Sequence, residues 1–277
     1  MTSTAETDED LSSPPPPRRH SFYQRNLSLL RGILAIVAAF VIWELIGRFV
    51  MTNRLFFVPF SAVLEGFVQL WAKGELQTHI TTSLVEFALG FILASMVGVL
   101  IGLGMAVSRL LHDYLDPWVS LLYSTPILAL APLFILWFGL GIESKVAVIF
   151  LVVLFPVLLN TYTGVLQTEP HFVEAARSFG ASSVQVFTKV MLPSALPVIL
   201  TGLRLGMARG LVGVVVAELF GSKAGLGFLI LVSAQTFDMA SLFVGVTILA
   251  GFGVISVELL KVAERRLAPW RHADVRE

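Results

Sequence analysis

The sequence contains no cysteine, and charged residues make up only 14% of its 277 residues. Without cysteine the chain has no disulfide framework, no thiolate metal site and no cysteine nucleophile. The scarcity of charge, combined with 56% hydrophobic residues and a mean hydropathy of +0.84, excludes an ordinary soluble domain of this length. The formal net charge is zero. We therefore expect the protein to be in contact with a lipid bilayer, and we expect no nucleic-acid partner.

Long apolar runs take the place of the missing charges. Because a helix needs about 20 apolar residues to cross a bilayer, these runs predict an all-α integral membrane protein with six transmembrane helices. We place the spans near residues 32–50, 84–107, 117–138, 145–162, 196–217 and 241–261. Two further segments are too short or too polar to span. Residues 59–80 are expected to lie in the interface, and residues 225–238 to form a re-entrant helix whose backbone groups are covered by protein.

The two ends of the chain differ from the rest in composition. Residues 1–26 are acidic, then rich in serine and proline, then basic, which predicts a disordered tail. A six-span domain is expected over residues 27–270, followed by a short tail at 271–277. The basic residues before the first apolar run also fit a signal peptide. That run has 19 residues, longer than an h-region of roughly 7 to 15, and lacks a small-residue cleavage site, so we expect it to remain as a span.

Basic residues orient the predicted spans. An even number of spans puts both termini on one side, and that side then holds twelve Lys or Arg residues against five on the other. Since basic residues are enriched in cytosolic loops, we expect both termini to be cytosolic. The loop after the fourth span is then cytosolic as well.

The motifs of a membrane-embedded enzyme are missing. There is no HExxH metal motif and no G-x4-GK[ST] phosphate-binding loop in the sequence, and these are the patterns that such chemistry uses. We place all five histidines in tails or loops, outside the predicted spans. We therefore expect no catalytic residue, no metal site and no cofactor in this chain, and no enzyme activity of its own.

The loop at residues 163–193 is unusually polar for this chain. Apolar residues recur at i, i+4 and i+7 on both sides of Gly180, so each half is expected to form an amphipathic helix. They are Phe172, Ala176 and Phe179 in the first half and Val184, Phe187 and Met191 in the second. Glycine reaches positive φ without a steric penalty, so Gly180 is expected at the corner, and Pro193 is expected to end the second helix. The mixed polar residues favour a protein partner over lipid headgroups.

This loop resembles the EAA signature of ABC importer permeases. An EAA triplet, three residues, a glycine, nine residues and VMLP fill residues 174–193, with Val190 where the family usually has isoleucine. The resemblance implies the type I permease fold and a coupling loop that contacts a cytosolic dimer of ATPase subunits. It also implies six ATPase-coupling residues, namely Glu174, Ala175, Ala176, Gly180, Leu192 and Pro193.

The resemblance extends over roughly residues 57–270 and points to the nitrate, taurine and aliphatic-sulfonate group. It is carried by the segments LAPLFILWFGLG, GLRLGMARGLVGVVVAELFG and AGLGFLI. It implies a permease of the bacterial inner membrane that works as a homodimer with two ATPase subunits, which bind the ATP, and with an extracytoplasmic solute-binding protein. The expected solute is a small anion of sulfonate, taurine or nitrate type. The group does not identify that solute.

Glycines form a regular pattern in the fifth predicted span. Gly202, Gly206 and Gly210 recur every four residues, which predicts a smooth stripe on which another helix packs closely. The glycines Gly98 and Gly102 of the second span are a candidate partner for this stripe.

Arg209 is an unusual charge for a transmembrane segment. It falls about twelve residues after Pro197, roughly 18 Å into a core about 30 Å thick. Charged residues at such a depth face protein or water and indicate function. One interpretation makes Arg209 part of an anion pathway, with Glu218 as a second pathway candidate. The other pairs Arg209 with Glu86 or Glu218 in an interhelical ion pair.

The alternative function is an ATP-independent secondary transporter or channel for a small anion. Six spans and an intramembrane arginine suit that class. It leaves the polar two-helix loop unexplained, and it usually brings an inverted repeat, which this sequence does not show.

Overall fold

The structure is a computed structural model that describes residues 22–51 and 53–267. Every regular element in this part of the chain is a helix. The predicted tails lie outside the described residues, except that residues 22–26 belong to the first helix. The α-helices are α1 (Phe22–Leu45), α2 (Phe60–Ala72), α3 (Glu75–Val107), α4 (Arg109–Ser124), α5 (Ala131–Phe138), α6 (Ile142–Leu166), α7 (Pro170–Ser178), α8 (Ser183–Val186), α9 (Leu192–Leu219), α10 (Leu226–Gln235) and α11 (Met239–Leu267).

Five stretches of helix in the described part of the chain are long and apolar enough to cross a membrane. They lie on α1, α3, α6, α9 and α11. A bent pair, α4 followed by the segment Ile127–Phe138, brings the number to six if the pair counts as one span. These six correspond in order to the six predicted spans.

The centre of the fold is α6, which lies between α9 and α3. On α9, a Cβ atom added at Gly202 would come within 2.5 Å of Asn160 Cβ, and one added at Gly206 within 3.0 Å of Val157 Cγ2. Gly210 is buried in the same row. Small residues let two helix backbones approach, so the stripe on α9 lies directly against α6.

The glycines of α3 face α6 from the other side. A Cβ atom at Gly102 would lie 2.6 Å from Leu158 O, and one at Gly98 would lie 3.1 Å from Val157 Cγ1. The expectation that Gly98 and Gly102 pack against the stripe of α9 is therefore wrong. Side chains of α6 fill the space against the glycines of α3 on one side and of α9 on the other.

The same contacts give the helix directions. Later residues of α3 contact later residues of α6, so these two helices are parallel, whereas later residues of α9 contact earlier residues of α6, so these two are antiparallel.

The third predicted span, 117–138, is not one straight helix. The axes of α4 and of the segment Ile127–Phe138 differ by 80°. Thr125 is extended, with φ −77° and ψ 135°, which is the conformation favoured before a proline, and Pro126 follows directly. The bend leaves space between α4, α6 and α9.

The prediction that Pro193 ends the second loop helix is also wrong. α8, a π-helical turn at Phe187–Met191 and α9 form one continuous helix. A proline removes a backbone donor, and its ring collides with the carbonyl four residues earlier. The turn before Pro193 is wider, since the backbone N–H of Leu192 donates to Phe187 O, five residues back, and this wider turn accommodates the proline.

Helix α1 is held to the rest of the fold near its C-terminal end. Trp43 Nε1 donates to Val58 O at 3.0 Å, and the Trp43 ring packs edge-on against Phe243 of α11. The Glu44 carboxylate accepts from the backbone N–H of Ser61 at 2.9 Å. Helix α2, which the sequence places in the interface, packs against α11 and so connects α1 to the bundle.

Candidate functional site

The predicted coupling loop forms two short helices around a glycine corner. Helix α7 ends in a Schellman motif: Gly180 N–H donates to Arg177 O at 2.9 Å, and Ala181 N–H donates to Ala176 O at 3.1 Å. Gly180 has φ +77°, which is the positive angle expected at the corner. Helix α8 then begins with a capping box in which Ser182 and Gln185 bond each other's backbone N–H groups. The corner is therefore fixed by backbone hydrogen bonds on the α7 side and by side-chain-to-backbone hydrogen bonds on the α8 side.

The surface of α7 is open to a partner. Glu174 and Ala175 are exposed, and Ala176 is half-buried. Phe172 is 52% exposed and Phe179 is 93% exposed, so the apolar face predicted for α7 is uncovered in the single chain. The two exposed phenylalanines lie on either side of the EAA residues.

Leu192 and Pro193 occupy a different environment from the EAA residues. Both are half-buried, and Leu192 packs against the buried cluster of Val165, Ala195 and Ile199. The structure therefore brings Glu174, Ala175, Ala176 and Gly180 together on the loop, and it places the Leu-Pro pair at the base of α9. We call the end of the bundle that carries α7 and α8 the loop end.

Arg209 lines a cavity of about 360 Å³ at the bend between α4 and α5. We call it the Arg209 cavity. Its lining residues are Tyr123, Thr125, Pro126, Ile127, Leu128, Val152, Phe155, Pro156, Arg209 and Val212. The guanidinium carbon lies 5.5 Å from the centre of the Tyr123 ring, and Arg209 Nη2 donates to the Tyr123 hydroxyl at 3.4 Å. Arg209 is exposed in the single chain and carries the only charge on a mostly apolar lining.

The interpretation of Arg209 as half of an ion pair is wrong. Within residues 22–51 and 53–267, Arg209 forms no ion pair, and Tyr123 is its side-chain partner. Glu86 and Glu218 are both buried elsewhere, and neither lines the Arg209 cavity. Arg209 remains free to interact with an anion that enters the cavity.

Glu218 is fully buried and binds the beginning of α10. Its carboxylate accepts from Gly227 N–H at 2.5 Å and from Ser83 Oγ at 2.5 Å. Ser83 Oγ in turn accepts from Leu226 N–H at 2.7 Å, and His79 Nδ1 accepts from Gly225 N–H at 3.1 Å. The first free amides of α10 are thus satisfied by side chains, which is the protein cover expected for the segment 225–238.

The sequence misplaced His79 and His112 and missed the buried Lys145. His79 and His112 lie inside α3 and α4 rather than in loops, because both helices begin several residues before the predicted spans at 84 and 117. Lys145 is 2% exposed and donates to Leu140 O and Gly221 O. In the sequence, the only sign of the burial of Lys145 is that it lies at the beginning of the apolar run of the fourth predicted span.

Comparison with known proteins agrees with this geometry. Residues 94–269 match the family of the binding-protein-dependent transport system inner membrane component. The chain is 37% identical over 245 residues to the putative aliphatic sulfonates transport permease protein SsuC of Bacillus subtilis (strain 168), with 88% of each chain covered. It is 32% identical over 256 residues to the taurine transport system permease protein TauC of Escherichia coli (strain K12), which covers 91% of this chain and 92% of that one.

A solved structure has the same fold. The chain matches a chain of the MetNI methionine ABC transporter in an inward-facing conformation with a TM-score of 0.57 and 18% identity. The match covers 72% of this chain and 96% of that chain. At this identity the likeness concerns the fold alone, and it confirms the predicted type I permease fold.

The family match decides between the two functions that the sequence left open. It confirms the ABC permease rather than the secondary transporter or channel, and it identifies a multi-pass transport component of the inner membrane rather than an enzyme. The chain belongs to the family of binding-protein-dependent transport system inner membrane components, the permease subunits of ABC importers.

Proposed function

We propose that this permease imports a small organic anion of the sulfonate or taurine type, and that the anion passes Arg209. The observation that carries the proposal is the Arg209 cavity, with one cation free of acidic partners on an otherwise apolar lining. A guanidinium binds oxyanions through several N–H donors in one plane. The two relatives named above are described as transporting aliphatic sulfonates and taurine, which share a sulfonate group.

The coupling residues of the proposal lie on α7 and at its corner. Glu174, Ala175 and Ala176 contact a cytosolic ATPase subunit, and Gly180 fixes the angle of α7 relative to α9. The open apolar face of α7 supports this contact. Because α8 is continuous with α9, a movement of α7 is passed to the helix that carries Arg209. ATP is bound and hydrolysed by the partner subunits, and this chain carries no cofactor.

The proposed assembly contains two copies of this chain, two ATPase subunits and an extracytoplasmic solute-binding protein. Both termini and the loop end lie in the cytosol. The excess of basic residues on that side supports the orientation. The opposite end of the bundle, where α10 begins, then faces the solute-binding protein.

The experiment is transport by the complete complex in liposomes with ethanesulfonate as the solute. Arg209→Gln should reduce uptake per assembled complex by roughly 10-fold to 100-fold, since one charge-assisted hydrogen bond is worth about 1.5 to 3 kcal/mol. Arg209→Lys should restore part of the uptake because the point charge returns. Arg54→Gln, which removes an exposed arginine before α2, is the matched control and should transport normally. Normal uptake by Arg209→Gln would overturn the role of Arg209.

A further inference from the structure

Three consecutive backbone amides at the start of α10 donate to side chains of other helices. The donors are Gly225, Leu226 and Gly227, and their acceptors are His79 Nδ1, Ser83 Oγ and the Glu218 carboxylate. His79 and Ser83 are four residues apart, so they lie on one face of α3. Of the three acceptors, only histidine ordinarily changes its protonation near neutral pH. The bond from Gly225 to His79 is therefore the one that can vary with pH.

His79 can accept from this amide only in its unprotonated form. A backbone N–H group can only donate, so the Nδ1 atom that lies 3.1 Å from Gly225 N presents its lone pair. The proton of the neutral ring is then on Nε2. In the protonated ring both nitrogens carry hydrogen, and Nδ1 has no lone pair left. The hydrogen bond is thus present at neutral pH and lost as the pH falls through the ordinary histidine range, about 6.5.

The connection between α9 and α10, residues 220–225, is held by a side chain near each end. Lys145 Nζ donates to Gly221 O at 3.1 Å, and His79 accepts from Gly225 N–H at the other end. The next two amides, which belong to α10, keep their own acceptors when the His79 bond is lost. The loss therefore frees the connection and leaves α10 itself in place.

The surroundings of His79 allow its charge to change. The side chain is half-buried and lies five residues before the predicted span at 84, so the ring is within reach of water. Its charged and aromatic neighbours are Glu75 one turn earlier on α3, Glu218 of α9 beside Gly225, the exposed Lys223 of the connection, and the Phe228 ring of α10 at 6.1 Å between centroids. Glu75 favours the protonated ring, whereas the bond from the amide favours the neutral one.

We propose that His79 is a positioning residue for the connection between α9 and α10, and that its protonation releases this connection. The connection lies at the end of the bundle opposite the loop end, and it follows directly after α9, which carries Arg209. A released connection no longer passes a movement of α9 to α10, so uptake slows at acid pH. The effect on uptake, and the extracytoplasmic side as the source of the proton, rest on the proposed function.

The structural test is amide-resolved hydrogen exchange of the purified full chain in lipid nanodiscs. It is measured at about pH 7.5 and about pH 5, on either side of the ordinary histidine range. The protection factor of the Gly225 amide, relative to an unfolded peptide at the same pH, should fall about twofold to tenfold in acid, which is the range for one hydrogen bond. The Leu226 amide is the internal reference and should keep its protection, because its acceptor, the Ser83 hydroxyl, does not titrate.

Variants of His79 separate its protonation from its shape. His79→Asn offers an amide oxygen in place of Nδ1 and does not titrate, so the protection of Gly225 should no longer depend on pH. His79→Ala should have low protection at both pH values. His112→Asn, which replaces a histidine of α4, is the matched control and should behave as the wild type. The inference is overturned if wild-type protection does not fall, if Leu226 loses as much protection as Gly225, or if His79→Asn shows the wild-type fall.

The functional test is ethanesulfonate uptake by the complete complex in liposomes that enclose ATP. Only complexes whose ATPase subunits face the lumen are then active, and the external pH acts on the opposite end of the bundle. Uptake by the wild type should fall about twofold to tenfold at an external pH of about 5, in step with the Gly225 protection factor. His79→Asn should lose this part of the pH dependence, and identical pH profiles of the two would overturn the inference. Absence of wild-type uptake at both pH values instead contradicts the proposed function, and hydrogen exchange then decides on His79.

Discussion

Ser83 of α3 donates a 2.5 Å hydrogen bond to Glu218 of α9, deep inside the bundle. The same hydroxyl accepts from the Leu226 N–H at the start of α10. One serine therefore joins three helices, because a hydroxyl is both a donor and an acceptor. The short helix α10 depends on side chains of α3 and α9 for its backbone hydrogen bonds.

Ser83→Ala should destabilise this junction. The Leu226 amide loses its partner, and an unsatisfied buried donor costs about 1 to 3 kcal/mol. We expect a lower thermal unfolding temperature in detergent, and faster hydrogen exchange at the first amides of α10. Ser124→Ala is the control, since that exposed hydroxyl bonds only its own helix at Ser120 O. Equal exchange at α10 in both variants would contradict the capping role.

The glycine stripe of α9 predicts a graded effect of side-chain size. Gly202→Ala should destabilise the protein, because the new Cβ atom would lie 2.5 Å from Asn160 Cβ and overpacking costs about 1 to 3 kcal/mol. Gly206→Leu should also prevent close approach to α6. Gly251→Ala on α11 is the control, since nothing lies within 4 Å of its added Cβ atom, and alanine favours helix by about 1 kcal/mol. If Gly202→Ala and the control have the same thermal unfolding temperature, the close packing of Gly202 on α6 is contradicted.

Sequence periodicity was sufficient for the number and order of the spans and for the loop corner, but not for the bend in the third span. Apolar runs of about 20 residues have few other uses, and the corner needs a residue that tolerates positive φ, which Gly180 provides. The stripe of α9 was also visible, because its spacing is local to one helix. Each of these features depends on residues that are close together in the chain.

Features that depend on a second helix were not predictable in the same way. The glycines of α3 and α9 show that something packs closely, but their partner, α6, presents valines and Asn160 to them. The close-packing glycine of α6, Gly164, faces Val198 at a different level of α9. The continuation of the helix through Pro193 depends on a π-helical turn that no residue pattern indicates. The partner of Arg209 is a tyrosine on a bent helix 86 positions away, and the partners of Glu218 lie on α3 and α10.

The coupling role of Gly180 can be tested by comparing it with a second glycine that has the same backbone angle but lies outside the coupling loop. Gly180→Val should abolish solute-stimulated ATP hydrolysis in the assembled complex, because a β-branched residue resists φ +77°. Gly180→Asn should retain more activity, since asparagine tolerates this conformation. Gly74→Val is the matched control: Gly74 has φ +76° and open space around its Cβ position, but it lies at the start of α3. A comparable loss in Gly74→Val would mean that strain alone explains the result.

Glu174→Lys tests the docking surface itself. Glu174 is exposed on α7, so the reversal of its charge should leave the fold of the permease unchanged. Binding of the ATPase subunit should weaken, and uptake should fall with it. Lys189→Glu reverses a charge in the π-helical turn beyond the corner and serves as the comparison. Co-purification of the ATPase subunit with each variant measures the effect, and full recovery with Glu174→Lys would contradict the contact.

Tyr123 determines where the Arg209 guanidinium lies, and its variants show whether that position matters for transport. The ring contributes a cation–π contact at 5.5 Å, worth about 0.5 to 2 kcal/mol, whereas the hydrogen bond to its hydroxyl is long at 3.4 Å. Tyr123→Phe keeps the ring and should transport ethanesulfonate nearly as the wild type does. Tyr123→Leu removes the ring and frees Arg209, so binding of the anion then has to order the side chain as well.

The expected result for Tyr123→Leu is a KM for ethanesulfonate that is several-fold higher, with an unchanged maximal rate and an unchanged unfolding temperature. A loss of stability with both kinetic parameters affected would indicate a packing role for the ring instead. A lower KM has a third meaning: the ring and the anion then compete for the same face of Arg209, and the solute must displace the guanidinium from Tyr123 in order to bind. Tyr123→Phe retains the ring. Whether the KM of Tyr123→Leu rises or falls, Tyr123→Phe should therefore keep the wild-type KM.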